Sequence, residues 1–471
     1  MPGDAIAIPR LVVAGVSSGV GKTTVVVALA RALRARGLRP ALFKCGPDYL
    51  DPTYHARAAG TASQNLDGWM MGRDAVVATF AHAAAGADVA IIEGMMGLYD
   101  GASATSDAGS TAEIAKWLDA PVVLVVDAGA MARSIAAVAL GFTSFDPAVR
   151  VAAVVANRVG GRGHLDLLRS AQRSPPILGG FPRDTEHAFP ERHLGLRTAD
   201  QATLPDALLD YWGAAAAEWF ALDALIDVAR SAPPLAAPAG TAPAAAASPP
   251  ACRIGIARDA AFHFYYADNL RRLEALGAEI VPFSPIADTA LPDVDGLYIG
   301  GGYPEVAARE LAANAPMREA VKAFAQSGGP IYAECGGLMY LSNAIVAADG
   351  SRHPMVGVIP ADACMRPALQ SIGYVEVEVT APSILGEAGT RFRGHQFRYS
   401  ELAPAPDGSV DRIYAVRGRR AKENEREGYR VKNVVASYVH AHWASNAKVP
   451  LELVRACQAF RKKRDAIQGV S

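Results

Sequence analysis

The chain contains only five cysteines among its 471 residues, and none of them forms a C-x-x-C pair. A small, odd and scattered set of this kind excludes a disulfide framework and a structural zinc site. Long apolar runs are also missing, since the most apolar stretch, 121–126, ends at Asp127 and is far too short to cross a bilayer. No basic region precedes an apolar segment at the N-terminus, so we expect no cleavable signal peptide and a cytoplasmic location.

An excess of charge of either sign is missing too. Lys and Arg total 46 and Asp and Glu total 47, which gives a formal net charge of −1. This balance argues against a protein that coats nucleic acid or an anionic membrane, although it permits a local basic patch. Hydrophobic residues make up 51% of the sequence and charged residues 20%, so large buried cores can form.

The clearest division in the chain is an uncharged segment rich in Ala and Pro at 231–250. Its prolines remove backbone donors and its alanines offer little surface to pack, so we interpret it as a linker. The sequence therefore predicts a first domain at 1–230 and a second at 251–471.

Short β-branched runs bounded by turn residues alternate with helical stretches in both halves. This alternation predicts parallel sheets with right-handed crossover helices, and hence two α/β domains in tandem. The strands expected in the first half are 10–14, 40–43, 89–92, 121–126 and 151–156, and the helices are 24–36 and 110–118. The strands expected in the second half are 253–257, 296–299, 330–333, 373–379 and 433–438, with a helical stretch at 268–275.

A glycine-rich loop, GVSSGVGKTT, stands between the first predicted strand and the first predicted helix and is typical of a P-loop. Lys22 is expected to reach the β- and γ-phosphates of a nucleotide, and the hydroxyl of Thr23 to bind Mg²⁺. The first glycine lies one residue earlier than G-x4-G-K-T requires, because Val16 occupies that place. Asn157, after the strand 151–156, is expected to touch the base. The other predicted nucleotide-binding residues are Gly19, Gly21 and Thr24.

Two further loops follow predicted strands at the same edge of the sheet and carry charged side chains. Glu93 follows the strand 89–92, where a second carboxylate for Mg²⁺ or phosphoryl chemistry belongs in such sheets. The loop after residue 43 is expected to act on the substrate and in phosphoryl transfer, through Lys44, Asp48, Tyr49 and Asp51. Asp48 is also a candidate Mg²⁺ ligand.

In the second half, Cys335 stands between a predicted buried strand and a helical run, and two glycines follow it. A nucleophile on such a sharp turn needs small neighbours. We expect the dipole of the following helix to lower the pKa of the thiol, and the amide of Gly336 to bind an oxyanion. The glycine turn after the strand 296–299 is predicted to supply the second oxyanion donor, from Gly301 or Gly302.

Thiol chemistry needs a histidine base. The predicted strand 434–439 ends in His440-Ala441-His442. Because strand alternation puts both histidines on the same side, spacing alone does not separate them. The scattered His263 and His395 are expected to be binding or structural residues.

Several of these segments together resemble the cobyrinic acid a,c-diamide synthase family over nearly the whole chain, most specifically AECGGLMYL at 333–341 and KCGPDY at 44–49. The resemblance implies a P-loop synthetase domain similar to dethiobiotin synthetase, followed by a class I glutamine amidotransferase domain. It implies amidation of the a and c acetate side chains of a corrin in cobalamin biosynthesis, with glutamine, ATP and Mg²⁺ and through acyl phosphates. The implied partners are small molecules, not nucleic acid or membranes, and a homodimer stays open.

The family's catalytic pair can be carried over to two residues of this chain. The nucleophile falls on Cys335 and the histidine that activates it on His440. His442 then occupies the place where many class I enzymes have a glutamate as third triad member. Ala333 replaces the first glycine of the usual G-x-C-x-G pattern.

Other functions stay open at this point. The substrate could be the metal-free corrin hydrogenobyrinic acid, because residue identities do not reveal the metal, and a relative acting on nickel-sirohydrochlorin is a further alternative. A P-loop partitioning or switch ATPase belongs to another class. It would need neither a nucleophilic cysteine nor a second α/β domain.

Overall fold

The computed structural model describes residues 5–187, 204–236, 250–404, 410–419 and 424–468. The chain divides into two compact units, Met1–Ala242 and Pro243–Ser471. Of the predicted linker, 237–249 lies outside the described residues. Its first residues, 231–236, pack on the first unit, where buried Leu235 pairs with Ile6 and the carbonyl of Pro233 accepts a hydrogen bond from Arg10.

The described part of the first unit alternates strands and helices. Its strands are β1 (Arg10–Gly15), β2 (Pro40–Cys45), β3 (Gln64–Leu66), β4 (Val89–Gly97), β5 (Val122–Asp127), β6 (Val151–Asn157) and β7 (Ile177–Gly179). Its helices are α1 (Lys22–Ala35), α2 (Asp51–Ala59), α3 (Gly68–Met71), α4 (Arg73–Ala83), α5 (Thr111–Trp117), α6 (Ser134–Phe145), α7 (Arg162–Ala171), α8 (Asp206–Trp219) and α9 (Leu222–Arg230).

These strands form one parallel sheet in the order β3-β2-β4-β1-β5-β6-β7. β1 is buried along its whole length, as expected for a central strand covered on both faces. The predicted parallel sheet is confirmed. One strand differs from the prediction: β4 continues to Gly97, so Glu93 lies inside the sheet, in register with Lys44 of β2. The apolar run stops at a charged residue, but the backbone pairing does not.

The second unit contains more strands in its described residues. They are β8 (Cys252–Ala257), β9 (Ala278–Phe283), β10 (Gly296–Ile299), β11 (Ile331–Glu334), β12 (Ser342–Val346), β13 (Arg352–Pro354), β14 (Ile359–Met365), β15 (Ser371–Val379), β16 (Arg391–Arg398), β17 (Ser400–Ala403), β18 (Asp411–Gly418), β19 (Glu425–Val431), β20 (Val434–Ser437) and β21 (His440–His442). The helices are α10 (Ala267–Ala275), α11 (Ala308–Ala313), α12 (Ala315–Gln326), α13 (Gly336–Leu341) and α14 (Lys448–Gln468).

The main sheet of this unit has the order β21-β16-β15-β18-β19-β20-β11-β10-β8-β9. It is parallel from β20 to β9 and antiparallel in the remainder, and β13-β12-β14-β17 form a separate sheet. Only two residues separate β20 from β21, yet the two strands pair at opposite edges of the antiparallel part. That part must therefore curl until β16 meets β21.

The continuous strand predicted at 434–439 is wrong, because the chain leaves β11 after Ser437. Two buried carboxylates hold the bend. Glu427 accepts hydrogen bonds from the hydroxyl of Ser437 (2.5 Å) and the amide of Tyr438 (2.7 Å). Glu334 accepts one from the amide of Ala441 (2.9 Å). These groups take the place of sheet partners and turn the chain into β21. Across the described ranges, no helix is both long and apolar enough to span a membrane.

Gly180, directly after β7, lies against the backbone of β6. A Cβ atom at this position would lie 1.7 Å from the carbonyl oxygen of Ala156, so the two segments would have to separate. We expect Gly180→Ala to lower the free energy of unfolding by about 1–3 kcal/mol, measured by urea denaturation of the full chain.

The matched control is Gly141→Ala, in the exposed part of α6, where a Cβ atom meets nothing within 4 Å. This substitution should leave the stability unchanged or raise it by about 0.5–1 kcal/mol, because alanine favours helix. Equal destabilisation by both variants would contradict the close packing of β6 and β7.

Candidate functional site

The P-loop connects β1 to α1 and takes its shape from its glycines. Gly19 and Gly21 have φ angles of 77° and 92°, a region that favours glycine. The amide of Val16 donates to the carbonyl of Val125 in β5 (3.1 Å). This loop has one more residue than the usual P-loop spacing. With Val16 in that place, the hydrogen bonding between β1 and β5 continues for one more residue before the loop turns.

The first residues of α1 point their polar groups into and beneath this loop. Lys22 Nζ donates to the carbonyls of Ser17 (3.1 Å) and Met96 (2.6 Å). Burial, and then the charge of Lys44, lower the pKa of Lys22 to about 8. Thr23 Oγ1 donates to Glu93 Oε1 at 2.7 Å. The predicted phosphate-binding lysine and the predicted metal-binding threonine thus lie at one end of β4.

Glu93 is the centre of a buried ionic cluster. Lys44 Nζ lies 2.8 Å from Glu93 Oε1 and 2.5 Å from Asp51 Oδ2. Burial lowers the pKa of Lys44, but Asp51 and Glu93 more than offset this and hold it above its usual value. Burial would raise the pKa of Glu93, and the charge of Lys44 nevertheless holds it below its usual range. Asp51 and Glu93 therefore share one buried lysine as their partner.

His55 belongs to this cluster and was not among the residues singled out from the sequence. Its Nε2 lies 2.6 Å from Glu93 Oε2, and its Nδ1 lies 3.1 Å from Ser63 Oγ. His55 follows Asp51 by four residues in α2, so both occupy one face of that helix. The four-residue spacing of Asp51 and His55 was the available sequence signal for a shared site. It becomes informative only when α2 is known to begin at Asp51.

The remaining members of the loop after β2 have a different arrangement. Asp48 Oδ1 accepts hydrogen bonds from the amides of Leu50 (2.8 Å) and Asp51 (3.2 Å), which closes the turn before α2. Tyr49 is half-buried in the same turn. Within the described ranges, no group of three or more His, Cys, Asp or Glu side chains is placed to hold a metal ion. Of the three predicted metal ligands, the structure brings Thr23 and Glu93 into contact.

A cavity of about 320 Å³ opens beside the P-loop, and three predicted nucleotide-binding residues line it: Gly21, Thr24 and Asn157. Asn157 Nδ2 donates to the carbonyl of Val20 (2.8 Å), which ties the end of β6 to the loop. The opposite wall comes from residues 181–185 and from His187, whose ring stacks on Tyr211 at 3.7 Å between centroids. That wall lies after β7 and was not predicted.

In the second unit, Cys335 forms a strained turn between β11 and α13. Its φ and ψ of 49° and −100° are unusual for a residue with a side chain. A Cβ atom on Gly336 would lie 2.9 Å from Pro304 Cδ and 3.1 Å from the amide nitrogen of Gly302, and one on Gly337 would lie 2.2 Å from a backbone oxygen of β10. The turn therefore depends on both glycines, as the sequence predicts.

The prediction of a lowered thiol pKa is wrong. Burial raises the pKa of Cys335 to about 12, and the nearby carboxylate of Glu305 adds to this effect. A hydrogen bond from the amide of Gly336 acts in the opposite direction but is outweighed. Helix α13 has only six residues. Few aligned peptide dipoles therefore add up to the positive charge at its N-terminus, which is too weak to offset the burial of the thiol.

The predicted oxyanion residues meet around this turn. Gly302 lies against Gly336, and a Cβ atom on Gly301 would lie 2.4 Å from His440 Cε1. The carbonyl of Gly301 accepts hydrogen bonds from the amides of His263 and Phe264, both at 3.0 Å. The glycine loop after β10 thus touches both the cysteine turn and His440.

The structure also separates the two histidines that the sequence leaves equivalent. His440 packs on the glycine loop and faces His395 of β16 in register. Burial, with a smaller effect of His395, lowers the pKa of His440 to about 3. The ring of His442 lies instead 4.7 Å from the ring of Tyr266, and burial lowers the pKa of His442 to about 4 although Asp268 opposes this. His440 therefore contacts the glycine loop that adjoins the cysteine turn, whereas His442 packs on Tyr266.

Comparison with known proteins covers both units. Residues 11–196 match the CobQ/CobB/MinD/ParA nucleotide binding domain, and residues 253–448 match the CobB/CobQ-like glutamine amidotransferase domain. Three similar proteins, each named cobyrinate a,c-diamide synthase, align over 96% of this chain and 99% of their own length. They come from Leptospira interrogans serovar copenhageni (47% identical), Syntrophotalea carbinolica (47%) and Dehalococcoides mccartyi (41%). At this identity over nearly the full length, the chain belongs to the cobyrinate a,c-diamide synthase family.

Proposed function

We propose that this chain amidates the a and c acetate carboxylates of cobyrinic acid in cobalamin biosynthesis, with glutamine as the nitrogen donor and ATP as the activating co-substrate. The observation that carries the proposal is one chain with two sites. The first unit holds a P-loop above the Glu93 cluster, and the second holds Cys335 on a strained turn, with His440 against the glycine loop that adjoins this turn. A switch ATPase accounts for the first site alone.

At the second site, Cys335 is the nucleophile. Its sulfur would attack the side-chain amide carbon of glutamine while His440 accepts the thiol proton. The amides of Gly301, Gly302 and Gly336 would stabilise the negative charge on the tetrahedral oxygen. The C–N bond then breaks, the proton passes from His440 to the leaving nitrogen, and ammonia departs. Water hydrolyses the glutamyl thioester to glutamate and restores the thiol.

At the first site, ATP activates the corrin carboxylate, which is otherwise a poor electrophile. A carboxylate oxygen would attack the γ-phosphorus, ADP would leave, and ammonia would displace phosphate from the acyl phosphate to give the amide. Lys22 is placed in the P-loop to pair with the phosphates. Lys44 and Asp51, at the same edge of the sheet, are placed to act on the carboxylate and the transferred group.

The residues present fit a magnesium ion bound together with nucleotide phosphates. Such an ion needs only one or two protein oxygens, because phosphates and water fill the other positions. Thr23 Oγ1 and Glu93 Oε1 lie 2.7 Å apart at the N-terminus of α1, and Asp48 lies in the neighbouring loop as the other candidate ligand. Mg²⁺ held there would offset the charge on the phosphates.

The first test concerns the cysteine. We expect Cys335→Ser to reduce glutamine-dependent diamide formation at least about 1,000-fold, because the nucleophile is lost. Synthesis with ammonium salts should be retained, since the ATP site is unchanged. Product amides are counted by mass spectrometry under both conditions. Normal use of glutamine by this variant would contradict the assignment of Cys335 as the nucleophile.

The second test concerns the P-loop. Lys22→Ala should reduce synthesis about 100-fold or more with either glutamine or ammonia, because the phosphates lose their buried cation. Arg36→Ala is the matched control at the other end of α1, where an exposed ion pair with Asp223 contributes little. A variant that loses only glutamine-dependent synthesis would contradict the role of Lys22.

The third test concerns the substrate and the intermediate. Wild-type protein given cobyrinic acid, glutamine and MgATP should add two amides and release ADP. Hydrogenobyrinic acid, supplied in parallel, tests the metal-free alternative. Release of AMP would contradict the acyl phosphate, and the absence of product from both corrins would contradict the proposed substrate class.

A further inference from the structure

His55 in α2 is a fully buried side chain for which the proposed chemistry has no use. Its exposed fraction is 0%, and each of its two ring nitrogens has a partner. Nε2 lies 2.6 Å from Glu93 Oε2, and Nδ1 lies 3.1 Å from Ser63 Oγ. A polar ring is costly to bury unless its hydrogen bonds are made, so these two contacts account for the position of His55.

The contact with Ser63 assigns the proton on Nδ1 of this ring. A serine hydroxyl carries one hydrogen, and Ser63 Oγ donates it to the carbonyl of Leu42 in β2 at 2.9 Å. Towards His55 the hydroxyl can then only accept, so Nδ1 is the donor. Because Ser63 is itself buried and bonded to β2, the ring of His55 is held in one orientation against the sheet.

The contact with Glu93 must then contain a second proton. Nδ1 uses its own hydrogen at Ser63, and two lone pairs that face each other over 2.6 Å would repel. The distance is as short as that of a charge-assisted hydrogen bond. His55 therefore binds Glu93 Oε2 through a hydrogen bond, and water does not compete for it, because both side chains have an exposed fraction of 0%.

This hydrogen bond leaves the other carboxylate oxygen of Glu93 to the P-loop helix and to β2. Oε1 accepts from Thr23 Oγ1 at 2.7 Å and from Lys44 Nζ at 2.8 Å. The terminal torsion of a glutamate is broad, so bonds at one oxygen alone restrict the carboxylate plane only weakly. With His55 on Oε2, a rotation that moves Oε1 away from Thr23 also breaks the bond to the histidine.

We propose that His55 is a positioning residue for metal and nucleotide: its hydrogen bond to Glu93 Oε2 holds Oε1 beside Thr23, where Mg²⁺ and the phosphates would bind. The inference rests on the proposed ATP site in the first unit. In this role His55 acts through Glu93 and does not itself contact substrate or metal. Residues that orient metal ligands in this way typically contribute about 10–100-fold to metal affinity or activity.

Two amide variants separate the hydrogen bond to Glu93 from the mere presence of a polar side chain. In His55→Gln the side-chain amide reaches as far from the backbone as Nε2, so it can bond Glu93 but not Ser63. In His55→Asn the amide reaches only as far as Nδ1, so it can bond Ser63 but not Glu93. Both variants replace the ring with an uncharged amide that can donate and accept.

The first measurement is the binding of Mn²⁺ together with ADP to the full chain, followed by the loss of the EPR signal of free Mn²⁺. Mn²⁺ suits the same oxygen ligands as Mg²⁺, and ADP has no γ-phosphoryl group to transfer. We expect His55→Asn to weaken Mn²⁺ binding about 10–100-fold and His55→Gln less than about threefold. Equal weakening in the two variants, or none in His55→Asn, would overturn the proposal. A wild-type protein that binds no Mn²⁺ with ADP would refute the ATP site itself.

The second measurement is the Mg²⁺ dependence of synthesis with ammonium salts, which makes the result independent of Cys335. His55→Asn should raise the Mg²⁺ concentration for half-maximal rate about 10–100-fold and change KM for the corrin less than about threefold. A lower kcat with an unchanged Mg²⁺ requirement would indicate a purely structural role and contradict the proposal. His82→Asn, at an exposed position of α4, is the matched control and should behave as wild type. If the wild-type protein forms no diamide, the proposed function fails, and the Mn²⁺ comparison decides on His55.

Discussion

The ion pair between Glu93 and Lys44 is the interaction around which the first unit is organised. A carboxylate inside a parallel sheet must be paired, because an isolated buried charge is very costly. Three elements supply the partners of Glu93: β2 through Lys44, α1 through Thr23 and α2 through His55. Asp51 of α2 shares the lysine. The position of the P-loop helix relative to the loop after β2 therefore follows from satisfying one buried anion.

The second unit uses buried carboxylates in another way, without a cation. Glu334 accepts hydrogen bonds from the hydroxyls of Tyr298 (2.9 Å) and Tyr332 (2.7 Å) as well as from the amide of Ala441. Burial raises the pKa of Glu334 and of Glu427 to about 7. Together these two side chains fix the bend between β20 and β21, so the position of His440 depends on neutral donors rather than on ion pairs.

The sequence predicts what is local. The P-loop and the cysteine turn are short segments whose glycines allow few conformations, and the strands of the parallel sheet are continuous apolar runs. What the sequence does not predict depends on distant residues. His55 reaches Glu93 across the sheet, and the bend after Ser437 needs acceptors from β11 and β19. The direction of the Cys335 pKa shift could not be foreseen, because it requires knowledge of burial and of Glu305.

The two sites share one electrostatic feature. In the first unit, burial and Lys44 lower the pKa of Lys22, so its ammonium form is favoured more strongly when phosphate anions are bound. In the second unit, burial and the charge of Glu305 raise the pKa of Cys335, so its thiolate is disfavoured in the free protein. Each reactive group therefore has a charged form that its burial in the protein disfavours.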